Sequence, residues 1–107
     1  MSSANERIQA LINNNKVLVF MKGNRAIPMC GFSATVVQVL DRLGAVYETV
    51  DVLEDPEIRE GVKAFSNWPT IPQVYIDGKF IGGCDIVRDM YQRGELEPLV
   101  RATAAAS

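Results

Sequence analysis

Histidine is absent from this sequence. That removes the commonest general base and the commonest zinc ligand, and it excludes a Cys–His nucleophile pair. Cysteine is scarce, with only Cys30 and Cys84. Two thiols cannot supply a four-cysteine metal site within one chain. Any cluster needs a second chain, an external thiol, or both. An excess of one charge is also lacking: 11 basic residues face 13 acidic ones, for a net charge of −2. The cations Lys22, Lys63, Lys79 and the arginines are scattered rather than striped, so nothing marks a nucleic-acid surface. No apolar run approaches the roughly 20 residues of a membrane-spanning helix. The polar start, Met1 to Glu6, has no signal-peptide core. Free thiols without an export signal predict a reducing compartment. The expected location is the cytoplasm, or an organelle stroma or matrix if a transit peptide has been removed.

What is present reads as one domain over residues 1–107, with an ordered core from about 4 to 101 and a frayed tail at 102–107. Ile8, Leu11 and Ile12 share a face and predict a short amphipathic helix over 5–14. Residues 17–21 form a continuous apolar run, consistent with a buried strand. Phe32, Val36, Val39, Leu40 and Leu43 recur at helical spacing, and Gly44 closes that helix. Phe32 is either core or a shield for a cluster, and the helical spacing favours core. The β-branched and aromatic stretch 46–52 predicts a second strand, which completes a βαβ unit. Asp55 followed by Pro56 is a helix start, with Ile58, Val62 and Phe65 on its apolar face. Two prolines, Pro69 and Pro72, make a rigid turn into Val74–Ile76, with Trp68 packing that turn. Asp77-Gly78 then signals a two-residue hairpin to Phe80–Ile81. After Gly82 and Gly83, Asp85 is the expected N-cap of a helix that Gly94 stops, and a short turn over 95–100 continues as helix.

The chemistry concentrates at Pro28-Met29-Cys30-Gly31-Phe32-Ser33. The strand-to-helix pattern places Cys30 at a helix N-terminus, where unpaired N–H groups and the macrodipole favour thiolate over thiol. Ser33 stands where a dithiol motif carries its second cysteine. A hydroxyl can hydrogen-bond a thiolate but cannot form a disulfide with it. A redox cycle through Cys30 therefore needs a thiol from elsewhere, and whether Cys84 could supply one is open at this level.

Taken together, Met21-Lys22-Gly23, Cys30-Gly31-Phe32-Ser33, Trp68-Pro69-Thr70-Ile71-Pro72-Gln73 and Gly82-Gly83-Cys84-Asp85 resemble a monothiol glutaredoxin of the CGFS type over essentially the whole chain. The resemblance implies an α/β, thioredoxin-like fold with a four-stranded mixed sheet flanked by helices. It implies that Cys30 is the active thiol and the protein's ligand to a [2Fe–2S] cluster. By the same resemblance Lys22 and Arg59 bind the glycine carboxylate of glutathione. Ile71, before a cis Pro72, offers its backbone to the ligand's cysteine unit, and Thr70 and Gly83 line the groove. Cys84 and Asp85 hold the γ-glutamyl end, through a backbone N–H and a carboxylate. Because a [2Fe–2S] cluster wants four thiolates, the implied function is a glutathione-dependent cluster carrier that forms a homodimer. Apo iron–sulfur proteins and BolA-like proteins are its implied partners. The alternative is a monothiol glutathione-disulfide oxidoreductase, at most a weak one, that uses the Cys30 thiolate. One detail departs from the pattern: many relatives carry proline where this chain has Arg25, which predicts a more mobile or more cationic loop before Cys30.

Overall fold

The strand Val17–Met21 (β1) is buried at all five positions because it lies inside a sheet covered on both faces. The computed structural model describes residues 3–106, with side chains through Arg101. Along it run α1 (Ala4–Asn14), β1, α2 (Gly31–Arg42), β2 (Glu48–Asp51), α3 (Pro56–Ser66), β3 (Gln73–Ile76), β4 (Lys79–Gly82), α4 (Cys84–Gln92) and α5 (Leu96–Ala106). The sheet order is β2-β1-β3-β4. β1 pairs parallel with β2 and antiparallel with β3, and β3 pairs antiparallel with β4. This is the mixed four-stranded sheet that the resemblance implies.

Strand alternation divides the core into two layers. Val17, Val19 and Met21 of β1, with Val74 and Ile76 of β3, pack against Val36 and Leu40 of α2, Val87 of α4 and Leu96 of α5. Leu18, Phe20 and Tyr75 point the other way, against Ile8 and Ile12 of α1 and Ile58 and Val62 of α3. An aromatic group of Phe20, Phe65 and Phe80 around Tyr75 fills that second layer.

Local signals fix most boundaries. Asp55 caps α3 by accepting from the Ile58 N–H at 3.2 Å, and Arg7 of α1 donates to the same carboxylate at 2.8 Å. Asp77 and Gly78 take positive φ values of 54° and 78°, as the hairpin turn requires. The second strand is shorter than its propensity predicts: it begins at Glu48, and Val46 lies outside it and exposed. Asp85 does not cap α4. The cap position belongs to Gly83, and Asp85 falls in the first turn. The Gly82-Gly83 pair lets the backbone enter the helix earlier, which moves the acid past the capping position. The expected fraying at 102–107 falls on side chains, and for Ser107 on a residue, outside those described.

Candidate functional site

The loop from β1 to α2 is shaped by its own backbone. Gly23 adopts φ +84°, and a Cβ there would collide with the backbone at Ile27 and Met29. Asn24 Oδ1 accepts from the N–H groups of Ala26 and Ile27, each at 2.9 Å. The Met29 N–H closes back onto the Lys22 carbonyl at 2.9 Å. Arg25 joins this loop to the rest of the fold: its Nη2 donates to Asp41 at 2.9 Å, and its guanidinium lies 4.4 Å from the Tyr47 ring centre. Tyr47 donates to the same Asp41 oxygen at 2.7 Å. The charge that Arg25 adds is therefore engaged at the end of α2 rather than free beside Cys30, which corrects the expectation of a more cationic loop.

Cys30 occupies the N-cap of α2 in extended conformation. Its side chain makes no capping hydrogen bond. As a thiolate it faces the helix start, and its pKa is held below the ordinary thiol value. The Ser33 backbone N–H is the largest cause. Burial opposes it, and the Phe32 N–H, the Lys22 charge and the Ser33 hydroxyl add to the lowering. Ser33 is fully buried, and its Oγ accepts the Lys22 backbone N–H at 3.2 Å. The residue standing where a second thiol could be is thus built into the junction of β1 and α2. Cys30 and Cys84 are both free thiols.

Every residue that the resemblance assigns to the site lines one groove of about 440 Å³: Lys22, Cys30, Arg59, Thr70, Ile71, Pro72, Gly83, Cys84 and Asp85. The fold explains the convergence. Lys22 leaves the end of β1. Arg59 comes from α3, in the layer on one face of the sheet, whereas Cys84 and Asp85 open α4 on the other. The turn between α3 and β3 connects the two sides. Gln73, fully buried, donates to the carbonyls of Trp68 at 3.1 Å and Thr70 at 3.2 Å and so fixes that turn. The Ile71–Pro72 bond is cis. The ladder of β3 to β1 begins at Gln73, so Ile71 lies just beyond it. A Cβ at Gly83 would sit 3.1 Å from the Pro72 carbonyl oxygen, so glycine is what lets α4 start this close.

The groove also contains residues that the sequence reading missed. Lys63 lines it one turn beyond Arg59, and their spacing of four on one helix was the available signal. Phe32 lines it too, and at 62% exposure it is not in the core. It satisfies the helical spacing, but it sits in the first turn of α2 and is exposed there. Trp68 packs on Phe80 with ring centres 5.8 Å apart, as expected of a turn residue, yet it lines the groove as well. Among the described residues, Arg59 Nε and Trp68 Nε1 are buried side-chain nitrogens without a partner. Around Cys30 the surface is apolar: Ile27 and Met29, each 64% exposed, join Phe32.

This arrangement suits an extended, small peptide with acidic groups. Lys22, Arg59 and Lys63 supply cations, Asp85 supplies an acid, and Cys30 supplies the thiol. A glutaredoxin family model matches residues 17–81. The chain is 55% identical over 100 residues to an uncharacterised monothiol glutaredoxin, ycf64-like, of Synechocystis, covering 94% of each. It is 50% identical over 105 residues to glutaredoxin 4 of Escherichia coli K12, covering 98% of this chain and 91% of that one. The fold superimposes on a buckwheat glutaredoxin–glutathione complex with a TM-score of 0.85 at 32% identity, over 95% of this chain and 91% of that one. The motif, the sheet and these relatives agree: the chain belongs to the glutaredoxin family, among its monothiol members.

Proposed function

We propose that this protein is a glutathione-dependent carrier of [2Fe–2S] clusters, holding its cargo across a homodimer through Cys30 and glutathione. The observation that carries this reading is a thiol with a lowered pKa and no second cysteine in its own motif, lining a peptide-sized groove beside exposed apolar side chains. The donor set fits the cargo in kind, since a thiolate is the natural ligand of such a cluster. It does not fit in number. Among the described residues no group of three or more His, Cys, Asp or Glu side chains could hold a metal ion. External thiolates must complete the set, and glutathione is the thiol whose charges match the groove.

In this reading Lys22 and Arg59 take the glycine carboxylate, with Lys63 beside them. Charge-assisted bonds of this type are the strong ones. Ile71 pairs with the ligand backbone in the manner of an added strand, while Thr70, Pro72 and Gly83 shape the wall. The Cys84 N–H and the Asp85 carboxylate hold the γ-glutamyl end. The apolar rim of Ile27, Met29 and Phe32 gives a second copy a surface to cover. Apo iron–sulfur proteins are the recipients and BolA-like proteins the alternative partners, in the cytoplasm.

The lowered pKa of Cys30 favours a second activity of the same site. The thiolate attacks the glutathionyl sulfur of a mixed disulfide and releases the protein thiolate, which takes up a proton. A second glutathione then attacks the Cys30 mixed disulfide, giving oxidised glutathione and restoring the Cys30 thiolate. Ser33 leaves only this monothiol route at the motif itself.

Anaerobic reconstitution with iron and sulfide, with and without glutathione, tests the carrier reading. Visible absorption that needs glutathione and is lost in Cys30→Ser supports it. A normal cluster in Cys30→Ser overturns it, and a colourless wild type leaves thiol exchange as the function.

A further inference from the structure

Asp85, the one acid lining the groove among the described residues, is already paired. Arg88 stands one turn later on α4, and its Nη2 donates to Asp85 Oδ1 at 3.2 Å. The Asp85 side chain is 83% exposed and that of Arg88 is 54% exposed. Arg88 does not line the groove. The neighbouring acid on the same helix, Asp89, pairs with Arg93 at 3.3 Å, so Asp85 is the acid that Arg88 engages. The cations of the groove, Lys22, Arg59 and Lys63, come from the residue after β1 and from α3.

Resting on the reading that this groove takes glutathione, we infer that Arg88 sets how strongly the groove selects the head of its ligand. It partly neutralises Asp85 and competes with the ligand's α-ammonium for that carboxylate. An ammonium entering beside Asp85 meets a carboxylate whose charge is shared, and a guanidinium at close range. The α-carboxylate of the same head is attracted by Arg88. Because the Cys84 N–H already serves that carboxylate, the loss at the ammonium outweighs the gain for a zwitterionic head, and a head without its ammonium is rejected less than an unpaired Asp85 would reject it. Exposed pairs of this kind are weak. The ligand therefore displaces or shares the pair readily, and the effect is a tuning of selectivity by roughly two- to five-fold rather than a block.

The test is an NMR titration of the full chain, following the amides of Gly83, Cys84 and Asp85. The ligands are reduced glutathione and its N-acetyl derivative, which lacks the ammonium. The proteins are wild type, Arg88→Gln, Asp85→Asn and the double variant, with thermal melts to confirm equal folding. Arg88→Gln is expected to bind glutathione two- to five-fold more tightly and the N-acetyl form no better. The gain should vanish in the Asp85→Asn background. It should also shrink in about 1 M salt, where the screening length is about 3 Å. Glutathione affinity that is unchanged or weaker in Arg88→Gln overturns the inference. A wild type that does not bind glutathione at all overturns the reading of the groove itself, a result distinct from the first because it is seen without any variant.

Discussion

At the scale of single residues, Cys30 carries the account, and its environment can be tested apart from any ligand. The Ser33 N–H and, more weakly, the Lys22 charge hold its pKa below the ordinary thiol value of 9.0. The midpoint of iodoacetamide reactivity against pH should therefore fall below that value. Lys22→Met should move the midpoint upward while leaving the helix contribution in place. An unmoved midpoint would show that the lysine charge does not reach the sulfur. The sign of the linked stability follows from the same shift. A thiol whose folded pKa is depressed contributes stability above its unfolded pKa, and that contribution is lost as pH falls through the folded value. Cys30→Ser should flatten the stability profile across that window and nowhere else.

At the scale of elements, the loop before α2 and the start of α3 show how local chemistry holds the site. Gly23→Ala forces a side chain into the positive-φ region and against the Ile27 and Met29 backbone. It should cost about 1–2 kcal/mol or more in denaturant melts, from the conformation alone. It should also slow Cys30 alkylation, because Met29 closes that loop. Asp55 caps α3, which carries Arg59 and Lys63. The Arg7 hydrogen bond, first, and then the Ile58 N–H depress its pKa. Its contribution is present above the unfolded carboxylate value of 3.8 and fades as pH falls through the lower folded value. Asp55→Asn should therefore weaken the wild-type loss of stability on acidification, as read by circular dichroism melts between about pH 2 and 5. Elements were also where sequence reasoning reached furthest. Asp55-Pro56 and Asp77-Gly78 carry turn chemistry that acts over a few residues, so both ends fell where expected. Val46 and Asp85 did not. Strand length depends on what lies alongside, and a helix start after two glycines depends on how closely the Pro72 carbonyl is approached. Neither is written in local propensity.

At the scale of the whole molecule, β1 contributes to both layers of the core, so a cavity there should be felt throughout. Phe20→Ala is expected to cost about 3–5 kcal/mol in a single cooperative transition. Groove occupancy by all nine residues chosen from the sequence has the same origin. Eight sit at junctions that the sheet order brings to one end, namely the end of β1, the start of α2, the turn before β3 and the start of α4, and Arg59 joins them from α3. What periodicity could not show was exposure. Phe32 obeys helical spacing but is exposed in the first turn of α2, and with Ile27 and Met29 it forms an apolar rim. That rim is the surface we assign to a second copy. The most direct measurement is native mass spectrometry of the anaerobically reconstituted protein. The account predicts one species holding two chains, one [2Fe–2S] cluster and two glutathiones. A cluster carried by a single chain, or by two chains without glutathione, would contradict it.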